Sequence, residues 1–269
     1  MSMNLNYTLR DAEEWAAFSG DYNPIHFDLQ YVRKMGLEQL SVHGMRAMLD
    51  MKRLLSVALL ADVSAQDCYV FTSRMRKPVL CQTPYHLQIS GSDTSVNGKL
   101  LASDTQESCF SSKLAPAQAL VLEACAQEHA LTVSEVMTLA QQFPGEATDI
   151  TQTWSFLDAL LFQLLVKSPE TLATLRRVLP ELHATTLIDV FAQIPVVQTH
   201  HETHFDGRLF IPNRHFHIEE CLHYAIQPML IMGDKNNGFV LRTVIQARTQ
   251  QQPLITTAVT LKTWPLAVN

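Results

Sequence analysis

The sequence predicts an α+β fold whose plan is used twice, and three observations predict it. Each half of the 269-residue chain holds one long, nearly uninterrupted apolar stretch of helical character. Each stretch is followed by segments rich in β-formers and punctuated by turn residues. A short piece of the second half can also be laid on a piece of the first at a constant offset.

The elements follow in chain order. LRDAEEWAAF, from Leu9 to Phe18, sets Trp15 and Phe18 three apart, as an amphipathic helix would, and Ser19-Gly20 ends it. A polar loop, Asp21-Tyr22-Asn23-Pro24-Ile25-His26, leads to a short helix predicted from about Phe27 to Met35, closed by Gly36. From His43 to about Ala61 no Pro interrupts and no Gly follows Gly44. The far end is apolar nearly all round, as in a helix wrapped by other structure. Strands are expected in segments 67–75, 78–90 and 98–112, with turns at Pro78 and at Ser90-Gly91-Ser92-Asp93. One long helix against a curved sheet buries both. Lys113-Leu114-Ala115-Pro116 reads as a junction, dividing the chain into 1–113 and 114–269, and 117–129 as a helical connector.

In the second half, VSEVMTLAQQFPG (133–145) aligns with TLRDAEEWAAFSG (8–20) at an offset of 125, matching Phe143 to Phe18 and Gly145 to Gly20. An apolar helix is predicted at about Trp154–Lys167. Strands are predicted at about 194–205, 215–232, 238–249 and 254–264, with a hairpin turn at Gly233–Gly238. The same offset places Glu146 at Asp21 and Thr151 at His26, so the second copy keeps the shape but not the Asp–His pair.

Composition narrows the function. With 47% hydrophobic and 17% charged residues the chain has the material for a large core. A net charge of −6 supplies no basic field for nucleic acid or anionic lipid. Five scattered cysteines without a CxxC pair point to reduced thiols. The expected setting is cytoplasmic, because no basic, apolar leader opens the sequence and no apolar run is long enough to span a bilayer.

Chemistry concentrates in Phe18-Ser19-Gly20-Asp21-Tyr22-Asn23-Pro24-Ile25-His26-Phe27-Asp28, followed by His43-Gly44-Met45. Pro24 fixes its own φ and disfavours helical geometry at Asn23, so the loop is stiff. A carboxylate and an imidazole five residues apart across such a turn can meet at one water. Gly44 opens the long helix, where a backbone N–H with no side chain in the way can donate to an oxygen gaining charge. Taken singly, Asp21 reads as well as a turn residue and His26 as a structural histidine.

Taken together, SGDYNPIHFD, Gly36 and HGM resemble the MaoC-like hydratase/dehydratase family, which includes (R)-specific enoyl-CoA hydratases. Gly20, Asp21, Asn23, Pro24, His26, Asp28, Gly36, His43, Gly44 and Met45 carry the resemblance, with Arg76-Lys77-Pro78-Val79 beyond them. It covers residues 7–112 and is only architectural afterwards. It implies a double hot-dog fold, two antiparallel sheets each wrapped round a long central helix. It implies a hydro-lyase acting on trans-2-enoyl or (R)-3-hydroxyacyl thioesters, with Asp21 and His26 activating water and Gly44 N–H polarising the thioester carbonyl. Asn23, His43 and Met45 are expected beside the substrate, which would be an acyl-CoA or an acyl carrier protein. No cofactor is implied beyond the CoA or phosphopantetheine of the substrate. A monomer or homodimer is expected, with no nucleic acid or membrane partner. A hot-dog thioesterase and a non-catalytic acyl-thioester binder are the alternatives. The second half, lacking GDxNPxH, would complete the acyl tunnel.

Two charged clusters stay open. Arg74, Arg76 and Lys77 can meet CoA phosphates or simply be solvated. Arg33, Lys34, Lys52 and Arg53 read as solvated helix faces. His200, Glu202 and His204 share one strand face and have zinc-ligand types, but a solvated sheet face is the commoner meaning, and no metal is expected.

Overall fold

A computed structural model describes residues 2–60, 68–92, 95–144, 153–210, 220–250 and 252–266. Strand β1 (Ser2–Asn6), not anticipated from the sequence, opens the chain, and helix α1 (Leu9–Ser19) follows, burying Trp15 and Phe18. Gly20 ends α1 in the left-handed region at φ 77°, its N–H donating to the Ala16 carbonyl. A 3₁₀ turn covers Pro24–His26, and α2 (Leu29–Lys34) starts two residues later than predicted because Asp28 caps it through the Gln30 and Tyr31 N–H groups. The short β2 (Ser41–Val42) delivers the chain to α3 (Gly44–Leu60), the expected long helix.

Strands β3 (Cys68–Met75), β4 (Val79–Leu80), β5 (Pro84–Ser92), β6 (Ser95–Ala102) and β7 (Ser108–Pro116) complete the first half. The predicted strand 98–112 is two strands. Ser103-Asp104-Thr105-Gln106 turns between them, with the Asp104 side chain accepting from Thr105 N–H. The proposed junction at Lys113–Pro116 lies inside β7, and 117–128 contains no helix. This connector runs irregularly to β8 (His129–Leu131) at the far sheet edge.

The second half supplies α4 (Val133–Gln142) and α5 (Thr153–Val166), and then α6 (Pro169–Val178) and α7 (Leu187–Gln193), which the sequence reading passed over. Strands β9 (Val196–Asp206), β10 (Leu222–Ile226), β11 (Leu230–Asp234), β12 (Gly238–Arg248) and β13 (Pro253–Thr263) close the chain. The predicted strand 215–232 lies partly outside the described residues, and the remainder is β10 and β11, separated at Gln227-Pro228-Met229. Gly145, Glu146 and Thr151, which the offset matches to Gly20, Asp21 and His26, also lie outside the described residues.

In place of the expected pair of wrapped sheets, eleven strands join in one sheet, and β2 pairs with β4 in a separate two-stranded one. Among the described residues the antiparallel order is β1-β5-β6-β7-β3-β9-β13-β12-β10-β8, with β11 on β12. The seam is β3 against β9, in register from Cys68–Asp206 to Arg74–His200. Helix α3 packs on β5, β6 and β7, α5 packs on β12 and β13, and the two helices touch. Their shared core joins the halves: Phe18 meets Phe143 edge-on at 5.4 Å, the very pair matched by the 125-residue offset.

Candidate active site

The loop after α1 is held by short-range bonds that its sequence dictates. Asn23 Oδ1 accepts from Ile25 N–H at 3.2 Å, which shapes the turn around Pro24. Asn23 Nδ2 donates across the molecule to the Val196 carbonyl at 3.4 Å, so β9 of the second half anchors the loop of the first. Asp21 Oδ1 accepts from Asn23 N–H at 3.3 Å.

His26 is buried, and its Nδ1–H donates to the Ser41 carbonyl at 2.8 Å. That bond fixes the tautomer, leaving Nε2 of the neutral ring as a lone-pair nitrogen. His43 stacks on it with ring centroids 3.6 Å apart and donates from Nε2 to the Asp21 carbonyl at 2.7 Å. His43 Nδ1 is buried with no partner among the described residues. Burial and then the neighbouring His43 push the His26 ring down to about 3, against pulls from Asp21 and Ser41. Burial pushes His43 down to about 4 and raises the Asp21 carboxyl above its ordinary value. At neutral pH both imidazoles are therefore uncharged, and burial works against the charge of the carboxylate between them as well.

Asp21, His26 and His43 bring ligand-type atoms within 4.8 Å of one another, so a metal has to be considered. The rings lie face to face with only 29° between their planes. In-plane lone pairs on stacked rings run side by side rather than converging, which does not suit two histidine ligands of one ion.

These three residues, with Asn23, Gly44 and Met45, line one wall of a cavity of about 350 Å³. Gly44 is the first residue of α3, where N–H groups lack intrahelical partners. A Cβ there would sit 3.1 Å from the Met75 sulfur, so glycine keeps this approach narrow but open. Arg76 and Lys77 stand at the rim, Arg76 bonded to Ser111 Oγ at 2.9 Å and Lys77 paired with Glu107. Arg74 is not among the lining residues: it is exposed, and strand alternation turns it away from Met75, which does line the cavity.

The opposite wall comes from the second half and was missed in the sequence. Leu175 of α6, Val190 and Phe191 of α7, and Phe239 and Leu241 of β12 make it apolar. A signal existed. Ser168-Pro169 is a cap followed by an N1 proline, and Thr186 with Asp189 is a capping box.

The histidine-rich strand also differs from expectation. His200 is exposed and His204 pairs with Glu202, whereas His201 on the other face is buried against Asp158. Lys52, expected to be solvated, is fully buried and paired with Asp158. A lone aspartate inside the apolar TWSFLDALLFQLLV was the available clue, because a buried carboxylate requires a partner.

No known family and no curated protein matches the sequence. Among solved structures, the chain is similar over its whole length to a protein designated an oleoyl thioesterase from Lactobacillus plantarum. The TM-score is 0.53 at 8% identity, covering 100% of this chain and 96% of that one. A MaoC-like dehydratase gives 0.49 at 8% identity, covering 99% and 97%. A Mycobacterium tuberculosis protein described as having a double hotdog fold gives 0.49 at 12%, covering 98% and 96%. At such identities the likeness is one of fold. Among the described residues no helix is long and apolar enough to cross a membrane.

Proposed function

We propose that the protein is a hydro-lyase that interconverts trans-2-enoyl and (R)-3-hydroxyacyl thioesters, carried on CoA or an acyl carrier protein. The observation that supports this most is the meeting of Asp21 with the tautomer-fixed His26 on the wall of a largely apolar cavity. In hydration, Asp21 takes a proton from water while its oxygen bonds to C3. The thioester oxygen gains charge against the Gly44 N–H, and a proton reaches C2 through the Asp21–His26 pair. Dehydration reverses these steps. A preorganised donor of this kind contributes about 3–4 kcal/mol to barrier lowering. Asn23 positions the loop, and Arg76 and Lys77 offer rim charges for a phosphate-bearing carrier.

The test is hydration of crotonyl-CoA followed by loss of enoyl absorbance. Asp21→Asn and His26→Ala are each expected to lower kcat by about 10²-fold or more. Release of free CoA at the parent rate in both variants would instead identify a thioesterase, and tight binding without turnover a binding protein.

A further inference from the structure

The face of the sheet turned away from the helices gathers cations that the reaction does not use. Helix α3 covers β5, β6 and β7 on one side, and α5 covers β12 and β13. On the opposite side the alternate residues stand in solvent. There the register sets Lys99 of β6 beside Ser111 of β7, and Ser111 beside Arg74 of β3. His200 of β9, Thr260 of β13 and Arg242 of β12 continue the same row. The next row sets Lys113 beside Thr72, and Thr72 beside Glu202. Toward the cavity, Arg76 follows Arg74 by two residues and Lys262 follows Thr260 by two.

Lys99, Lys113, Arg74, Arg76, Lys262 and Arg242 thus share one face, and Glu202 is the one acid at these positions. The chain as a whole has 26 Asp and Glu against 20 Lys and Arg, so composition alone would give the opposite balance. The first five are exposed, and among the described residues none of them has an ion-pair partner. Arg76 donates to the neutral Ser111 hydroxyl, while Arg242 approaches Glu202 at 3.9 Å. Like charges held together without countercharges repel, and an anionic partner relieves that repulsion.

Three features say what kind of anion fits. From Lys99 to Arg242 is five strand spacings, roughly 24 Å, the breadth of a small domain. Past Arg242 the register reaches Leu230, and from Val240 it reaches Met232, on the same face. These two apolar side chains are 53% and 50% exposed. A folded acidic domain can cover cations and apolar edge together, whereas a polyanion uses only the cations. With a net charge of −6, the rest of the surface also repels a long polyanion, while a small domain meets the patch alone. Finally, Arg76 belongs to both surfaces: it is bonded to Ser111 on the outer face and it lines the cavity. The cationic face therefore ends at the cavity rim.

Resting on the acyl-thioester reading above, we propose that this face docks an acidic acyl carrier protein. Its phosphopantetheine arm passes Arg76 into the cavity, so that the substrate arrives on a protein rather than on CoA.

Lys99, Lys113 and Lys262 are not among the cavity-lining residues, so replacing all three by glutamate changes the face and leaves the site alone. Calorimetric titration with octanoyl acyl carrier protein reads binding. Hydration of oct-2-enoyl groups on that carrier and on CoA reads turnover. The parent is expected to bind the carrier, with a Kd that rises at least about tenfold between about 50 and about 300 mM salt. The Lys99→Glu/Lys113→Glu/Lys262→Glu variant should weaken carrier binding, and lower kcat/KM on the carrier-bound substrate, by about tenfold or more. Its kcat/KM on oct-2-enoyl-CoA and its Tm should match the parent's. Carrier binding of equal strength in parent and variant overturns the proposal, as does a parent that turns over the CoA substrate alone. Tighter binding to phosphatidylglycerol vesicles or to duplex DNA than to the carrier overturns it too, by giving the face to a lipid surface or a nucleic acid. Turnover of neither substrate, with carrier binding still lost in the variant, overturns the hydro-lyase reading and leaves the docking face standing.

Discussion

At the scale of the residue, burial decides which group titrates. An exposed histidine changes charge near 6.5, but His26 is pushed to about 3 and His43 to about 4. Asp21 moves the other way, raised chiefly by the same burial and only partly held down by His26 and the Asn23 N–H. Asp21 therefore gains its proton above the ordinary aspartate range, and neither imidazole becomes charged near 6.5. Protonation of Asp21 removes the base that water needs. For crotonyl-CoA hydration, kcat/KM is expected to fall along a single acid limb lying above the 3.8 of an ordinary aspartate, set by Asp21 and not by an imidazole. Rates measured from pH 4.5 to 8.5 check this. An inflection near 6.5 that disappears in His26→Ala would show that the imidazole is the titrating base.

At the scale of the element, the first half was legible because its elements carry their own punctuation. Gly20 stops α1, Pro24 stiffens the loop, and α3 is long and apolar. The site's polar wall is local in sequence, so Asp21, His26 and Gly44 could be found from spacing. The other wall is not local. Leu175, Phe191 and Leu241 read as ordinary core residues, and only the tertiary arrangement turns them toward the loop. Lys52 was misread for a related reason: helix periodicity says which residues share a face, not that α5 will bring an aspartate to meet that face. Helices α6 and α7 form a second apolar cluster and close the cavity opposite Asp21. Leu175→Trp puts a larger side chain into that wall. Activity on dodecenoyl-CoA is expected to fall at least about tenfold while crotonyl-CoA is little affected, a comparison of kcat/KM values. Equal losses on both substrates would remove α6 from the tail-binding wall.

At the scale of the whole molecule, the two halves are joined in a way that a pair of independent sheets would not be. The β3–β9 seam makes the sheet continuous, and the core cluster includes α1, α3, α4 and α5 together. At its centre, Lys52 from α3 meets Asp158 from α5, and His201, Thr203 and Thr257 from β9 and β13 complete the carboxylate's shell. Burial alone would raise the Asp158 carboxyl, but His201 and Lys52 outweigh it and hold the group far below the usual range. It therefore stays ionised, with its countercharge supplied from the other half. Lys52→Met leaves that charge uncompensated in both halves' shared core, and about 3–5 kcal/mol of stability should be lost. Adding Asp158→Leu should recover much of it, because the stranded charge is then gone. Since neither half can satisfy this cluster alone, urea unfolding followed by tryptophan fluorescence and by circular dichroism should give one coincident transition in the parent. Two separated transitions, or a Lys52→Met variant as stable as the parent, would mean that the halves fold independently and that the buried ion pair does not couple them.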